Sequence, residues 1–371
     1  MKVIMTGGGT GGHIYPAIAI ADEIRKRDEN AEILFVGAEI GLERDLVPEN
    51  GYDIELITVE GFNRQELLKN IDVLKKLRKG NKRSREILKS FQPDVVIGTG
   101  GYASAPVVRT AQKMKIPTYI HEQNAFPGVT NKMLEPRVEK LFLGFEAGSQ
   151  YFKHPEKHVV AGNPVRETFL HMNRAEARNE LGFREDDFVL LAFGGSQGAG
   201  RINKAMISVI EAFNGVEHIK VCLGSGSYYY DAILEELKSK GIELQDNIRI
   251  MEYIHNMDAF LMASDLVISR SGALTVAEVT VCGKPAIFIP SPLVTGNHQF
   301  FNAKAVADQG GAIVIEEKDL DHQELIAEIL RLKNNPQARK DMAEKSRQCA
   351  PVDAARVICD HIEVLHGKSE E

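Results

Sequence analysis

The apolar run Val3-Ile4-Met5 leads directly into Thr6-Gly7-Gly8-Gly9-Thr10-Gly11-Gly12-His13, and a helical pattern follows over Ile14–Arg27. A strand, a glycine turn and a helix start bring backbone N–H groups together where an anion can sit. The arrangement recurs. The strand-like Phe188–Phe193 is followed by Gly194-Gly195-Ser196-Gln197-Gly198-Ala199 and a helical stretch from Gly200. Two such units predict an α/β protein of two Rossmann-like halves, with a phosphate-bearing ligand in the crevice between them.

Gly7, Gly9 and Gly12 satisfy G-x-G-x-x-G, so a nicotinamide enzyme has to be weighed. That fingerprint wants an acid about 20 residues on to hold the ribose. Glu39 comes later than this, and the extra glycines end in His13, so the reading is disfavoured. The plainer alternative, a tight strand-to-helix turn, fits either loop alone better than it fits the pair.

No apolar run approaches the roughly 18 residues of a membrane span. The chain starts in a strand pattern with none of the features of a signal peptide. Cys222, Cys282, Cys349 and Cys359 have no metal spacing and read as reduced thiols of a cytoplasmic protein. Net charge is −7, yet residues 61–92 carry ten basic side chains against three acidic ones. The bases include Arg64, Lys69, Lys75, Lys76, Arg78, Lys79, Lys82 and Arg83, and Leu67, Leu68, Ile71, Leu74 and Leu77 recur among them at helical spacing, a pattern that breaks at Gly80-Asn81 and resumes with Ile87, Leu88 and Phe91. An amphipathic basic segment suits an anionic lipid surface. The competing reading is a solvated helix whose apolar stripe packs on the sheet. Nucleic acid is not expected, since the rest of the chain is acidic and carries no known binding motif.

Strand and helix patterns alternate throughout. Seven strands are expected before Asn163-Pro164, a hinge candidate, and six after it. The domain expectation is therefore 1–163 and 164–351. Further polar clusters close strands: Gly98-Thr99-Gly100-Gly101-Tyr102, His121-Glu122-Gln123-Asn124, and Ser269-Arg270-Ser271-Gly272 ahead of the helix Ala273–Glu278. The carboxyl ends of strands line the ligand crevice in such sheets. Gly100, Gly101, Tyr102 and His121 are thus expected on the same side as the first glycine loop.

Taken in order, GGGTGGHIYPAIAIA, GTGGYASAP, HEQNAFPG, GNPVR, FGGSQGA, SRSGALTVAE and Gln299…Asn302-Ala303 resemble the N-acetylglucosaminyltransferases of peptidoglycan synthesis, which convert lipid I to lipid II. The likeness spans residues 2 to about 310. It implies a glycosyltransferase-B fold whose two domains face a deep crevice. It also implies inverting transfer of N-acetylglucosamine from UDP-N-acetylglucosamine to the 4-hydroxyl of undecaprenyl-diphosphate-linked N-acetylmuramoyl-pentapeptide. The donor would meet Thr10, Gly11, Gly12 and Asn124, with Arg166 and Ser196 near its diphosphate. Ala273, Leu274 and Thr275 would offer helix N–H groups, Ile254 its backbone to uracil, Glu278 its carboxylate to ribose, and Gln299 and Asn302 their amides to the sugar. The resemblance further implies that the C-terminal segment 352–371 returns to the first domain, which carries the acceptor while the second carries the donor.

The departing UDP needs preorganised N–H groups and Arg166 rather than a cofactor. No metal is expected, since no D-x-D pair is read at a strand–loop junction and Asp186-Asp187 is a contiguous pair ahead of a strand. Single displacement needs a base for the acceptor hydroxyl. His13 at the loop–helix junction is the first candidate, because a helix start disfavours its protonated form. Glu122 and His121 are the runners-up, and hydrogen bonding to the acceptor diphosphate or the loop is the other role open to His13. A lipid-linked acceptor places the enzyme peripherally on the cytoplasmic face of the membrane, docked through the basic segment. Two rivals remain: a UDP-N-acetylglucosamine 2-epimerase of the same doubled architecture, and a nucleotide-sugar-binding module without catalysis.

Overall fold

The computed structural model describes residues 1–59, 70–349 and 353–362, the side chains of 70–75 and 295 excepted. The chain divides into two compact units, Met1–Arg166 together with the segment from Asp353 onward, and Glu167–Val352.

The first unit holds β1 (Lys2–Gly7), β2 (Glu32–Ala38), β3 (Asp53–Ile57), β4 (Val95–Gly100), β5 (Thr118–Glu122), β6 (Lys140–Leu143) and β7 (His158–Val160). They form one parallel sheet in the order β3-β2-β1-β4-β5-β6-β7. Covered on both faces, β1 and β4 need no polar alternation, and Val3, Ile4, Met5, Val95, Val96 and Ile97 are all fully buried. Successive residues feed opposite cores. Val3 and Met5 pack with Ile14, Ala17 and Ile24 of the helix Gly11–Arg27, and Ile4 packs with Val107, Val108 and Leu88. The helix Ala354–Asp360 completes the first of these cores with Ile358 and Cys359, followed by Ile362, and Arg27 pairs with Asp360 at 2.8 Å.

The second unit holds β8 (Phe188–Phe193), β9 (Ile219–Gly224), β10 (Ile248–Met251), β11 (Leu266–Ser269), β12 (Ala286–Phe288) and β13 (Ala312–Val314), parallel and ordered β10-β9-β8-β11-β12-β13. Its core joins Leu190 and Ala192 of β8 to Ile202, Met206 and Ile210 of the helix Gly200–Phe213. In each sheet the strand order reverses beside the strand that precedes a glycine loop, between β1 and β4 and between β8 and β11.

All thirteen expected strands are present, and three local boundaries differ. The first helix begins at Gly11 rather than Ile14. β4 runs on through Gly98 to Gly100, with a register shift that pairs Gly7 with Gly100. Gly98 keeps the strand extended under close neighbours, since a Cβ there would lie 2.6 Å from Ser104 Oγ. The expected interruption at Gly80-Asn81 is absent, and one helix spans Asn70–Phe91. Gly80 serves close approach instead, as a Cβ would meet Val59 Cγ1 at 2.8 Å and the Thr58 carbonyl at 3.0 Å.

Candidate functional site

In the first unit the loop after β1 lies against the loop after β4. Gly8 N–H donates to the Gly100 carbonyl at 3.3 Å. A Cβ on Gly101, whose φ is +83°, would fall 2.2 Å from the Gly8 carbonyl oxygen. Only glycine meets both demands at that position. Thr10 precedes the helix Gly11–Arg27 with extended backbone, and no side chain caps that helix. Gly9 and Thr10 are exposed, Gly11, Gly12 and His13 half-buried, and Tyr102 is 61% exposed. The uncapped N–H groups and the positive end of the dipole therefore open to solvent.

The loop is anchored by a residue the sequence pattern did not single out. Glu43 is wholly buried, and its carboxylate accepts from Gly9 N–H at 2.8 Å and Ala38 N–H at 2.9 Å. Its space is made by glycines: a Cβ on Gly8 would lie 2.1 Å from its Oε1 and one on Gly41 2.2 Å from its Oε2. The cluster Gly37…Gly41 just ahead of an acid was the available signal.

His13 Nδ1 lies 2.9 Å from the Thr99 carbonyl and 3.0 Å from Gln123 Oε1. Both are acceptors, so Nδ1 carries the proton and Nε2 the lone pair. No hydrogen-bond partner for Nε2 occurs among the described residues. The two runners-up sit differently. His121 is fully buried, with Nε2 2.9 Å from the Gly162 carbonyl and Nδ1 2.9 Å from Gln123 Nε2, and burial pushes its pKa down to about 4. Glu122 is also buried. Its Oε1 accepts from the N–H and amide of Asn124 at 3.0 and 3.2 Å, and its Oε2 from Gly128 N–H at 3.1 Å and the Asn131 amide at 2.9 Å. Four donors make Glu122 the organiser of the Gln123–Gly128 loop, on which Asn124 is half-buried. Arg166 is exposed at the end of this unit.

On the helix Asn70–Phe91, Ile87 and Leu88 face inward with Ser84 buried beside them and Leu77 is half-buried, while Leu67, Leu68 and the side chains of Ile71 and Leu74 lie outside the described residues. Arg78, Lys79, Lys82 and Arg83 are exposed, and Arg83 pairs with Glu55 at 2.7 Å. Arg64 and Lys69 lie outside the described residues, as does the side chain of Lys75, whose backbone is helical. Lys76 lines a cavity of about 280 Å³ with Ile40, Val59 and Tyr102. Ile40 is 90% exposed and Leu42 54%.

In the second unit Gly195, Ser196 and Gln197 are exposed at the end of β8. Here backbone meets backbone: a Cβ on Gly198, whose φ is +74°, would fall 2.0 Å from the Ser225 carbonyl oxygen. The Asn203 amide donates to that same carbonyl at 2.9 Å. Gly272 precedes the helix Ala273–Val281, which has no side-chain cap, and Leu274, Thr275 and Glu278 are half-buried around its first turns. The hydroxyl of Ser271 donates to the Gln299 carbonyl at 2.8 Å, and the Asn302 amide to the Ser271 carbonyl at 3.2 Å. Asn302 is wholly buried, so it braces the turn, whereas Gln299 is half-buried and uses its Oε1 to accept from Ser291 N–H at 2.9 Å. Ile254 turns its side chain inward over Gly224. Arg270, also outside the expected set, donates to the Ile289 carbonyl at 2.9 Å and pairs with Glu317.

Two acidic pairs bear on metal binding. Asp186 and Asp187 lie with His218 at the amino end of β8, the edge opposite the glycine loop. A D-x-D triplet, Asp319-Leu320-Asp321, does follow β13. Its Asp321 is taken up in capping the helix His322–Lys333, accepting from Gln323 and Glu324 N–H.

Residues 3–143 match the model of the glycosyltransferase family 28 N-terminal domain, and residues 189–358 that of its C-terminal domain. Two curated relatives carry the name UDP-N-acetylglucosamine–N-acetylmuramyl-(pentapeptide) pyrophosphoryl-undecaprenol N-acetylglucosamine transferase. The one from Thermoanaerobacter sp. (strain X514) is 44% identical over 96% of this chain and 98% of its own. The one from Acetivibrio thermocellus is 42% identical over the full length of both. Among solved structures, the MurG of Acinetobacter baumannii superposes with a TM-score of 0.78 at 26% identity, covering 98% of this chain and 99% of that one. The UDP-GlcNAc 2-epimerase of Neisseria meningitidis shares the fold at a TM-score of 0.67, with 14% identity over 97% and 99% of the two chains.

Proposed function

This chain belongs to glycosyltransferase family 28, and from that membership we infer that it transfers N-acetylglucosamine from UDP-N-acetylglucosamine to lipid I, forming lipid II. It is a glycosyltransferase-B enzyme of peptidoglycan synthesis. The 2-epimerase reading keeps the fold but has no support from identity, which is 14% there against 42–44% for the transferases.

The first unit takes the acceptor and the second the nucleotide sugar. The acceptor 4-hydroxyl attacks the anomeric carbon, the bond from that carbon to the diphosphate oxygen breaks, and UDP leaves with the electron pair. His13 Nε2 receives the hydroxyl proton, and the observation that carries this step is its ring, held at Nδ1 by two acceptors while Nε2 has no partner among the described residues. In the second unit, the uncapped N–H groups of Ala273–Thr275 and the exposed Ser196 support a diphosphate site without metal or cofactor. Glu278 and the Ile254 backbone hold ribose and uracil, and Gln299 reads the sugar.

The exposed bases Arg78, Lys79 and Lys82, beside the cavity where Lys76 meets Ile40 and Tyr102, support peripheral docking on the anionic inner face of the membrane. Among the described residues no helix is long and apolar enough to cross one. Neutralising Lys75, Lys76, Arg78 and Lys79 should weaken binding to anionic vesicles by ~1 kcal/mol per charge and leave UDP-N-acetylglucosamine binding intact. Unchanged vesicle binding at low salt would remove the docking assignment.

The activity is tested by product analysis with UDP-N-acetylglucosamine, with and without a short-chain lipid I analogue. UDP release that depends on the acceptor, with a disaccharide product, is expected. Epimerised sugar with no acceptor-linked product would replace the transferase by the isomerase.

A further inference from the structure

The hydrogen bonds behind His13 have a direction that starts far from the reacting atoms. The Gly162 carbonyl can only accept, so the His121 nitrogen 2.9 Å from it, Nε2, carries that ring's proton. A neutral His121 then presents a bare Nδ1, which accepts from the Gln123 amide nitrogen at 2.9 Å. The second proton on that nitrogen goes to the Thr99 carbonyl at 2.8 Å. With both amide protons placed, Gln123 must turn its oxygen toward His13 Nδ1, 3.0 Å away. The Thr99 carbonyl accepts from the same Nδ1 at 2.9 Å. Every donor along Gly162, His121, Gln123, Thr99 and His13 has an acceptor, and reversing any one member would set two donors or two acceptors face to face.

We propose that Gln123 and His121 are positioning residues for the transfer reaction, forming a neutral chain that fixes His13 as the Nδ1–H tautomer and leaves Nε2 as its basic atom. The proposal rests on the reading of His13 as the base and adds the residues that make it one. Gln123 and His121 are both enclosed, at 1% and 0% exposure, so water does not compete for their polar atoms. Burial also keeps His121 neutral, with a pKa near 4. Protonating it would place an N–H against the Gln123 amide and break the chain in its middle. Gln123 itself is held from the far side, where the Asn163 amide donates to its carbonyl at 3.0 Å.

The test combines spectroscopy with kinetics on the full chain. In histidine-¹⁵N-labelled protein at neutral pH, two-bond ¹⁵N–¹H correlations should show opposite tautomers, Nδ1–H for His13 and Nε2–H for His121. The His13 signals are assigned by their loss in His13→Gln. Finding His13 as the Nε2–H form overturns the proposal without any variant of the chain. In Gln123→Met, kcat should fall about 10- to 100-fold. The KM for UDP-N-acetylglucosamine should stay within about twofold, and the His13 ring should become a mixture of tautomers. Wild-type kcat with an unshifted His13 spectrum would overturn the proposal, and if Gln123→Met fails to fold, the wild-type spectra decide. Failure of the underlying base reading looks different: His13→Gln would then keep its kcat while the tautomer pattern of the wild type stays as described.

Discussion

The two glycine loops occupy equivalent places in their sheets and share close backbone approach, Gly101 on Gly8 in the first and Gly198 on Ser225 in the second, but they differ in what is added to it. The loop after β1 is further anchored by side chains, through Glu43 on Gly9 and through His13 on Thr99 and Gln123. The loop after β8 keeps backbone against backbone, with the Asn203 amide donating to the same Ser225 carbonyl. A loop pinned by carboxylate, imidazole and amide can hold a titratable group in one orientation. A loop pinned by close backbone approach offers N–H groups and small hydroxyls, which suits holding an anion. The first arrangement is fitted to proton transfer and the second to binding.

The largest effect that would break this contrast is kinetic. His13→Gln should lower kcat by about 10²–10⁴, whereas Ser196→Ala should act mainly on the KM for UDP-N-acetylglucosamine. Equal losses of kcat in the two variants would erase the distinction.

Next in size is a pH effect of opposite placement in the two units. The folded pKa of His121, about 4, lies below its ordinary value of 6.5, so the unfolded chain binds the extra proton first. Its contribution is complete above pH 6.5 and lost as pH falls toward 4, on the order of 3 kcal/mol. Lys284 in the second unit is buried against the Met262 and Ser264 carbonyls, and burial lowers it from 10.5 to about 8. Stability from that group rises as pH climbs from 8 to 10.5. Urea unfolding across both windows should show the acid slope flattened in His121→Gln and the alkaline rise removed in Lys284→Met.

Glu43→Gln should cost about 2 kcal/mol, since an amide can replace only part of the two charge-assisted bonds to Gly9 and Ala38. Denaturant unfolding measures it directly. The smallest effect is expected from Ser271→Ala, about 1 kcal/mol for one hydroxyl bond to the Gln299 carbonyl, with a modest rise in KM for the nucleotide sugar.

The sheets were legible in the sequence because β1, β4, β8 and β11 are short apolar runs closed by glycine or serine clusters. Position along the chain was enough to find them. Gly80 was misread because a glycine that breaks a helix and one that lets a strand approach look alike until Val59 and Thr58 are seen beside it. His13 stood out at its loop, but what orients it did not: Thr99 and Gln123 are 86 and 110 residues away. Glu43 was hidden for the same reason, its partner Gly9 lying 34 residues back. Asn302 stood out by its motif, yet only its burial shows that it braces the Ser271 turn.

The return of the helix Ala354–Asp360 to the core beneath Gly11–Arg27 has a consequence for synthesis. Ile358 and Ile362 belong to the same buried cluster as Ile20 and Ile24, so the first unit lacks part of its interior until residues 354–362 have been made. At about 5–20 residues per second, translating from Glu167 to Asp353 takes roughly 10–40 s. During that interval the second unit, contiguous in sequence, is made and begins to fold while the earlier-made sheet still has an open seam. The half of the enzyme made first is therefore the half completed last.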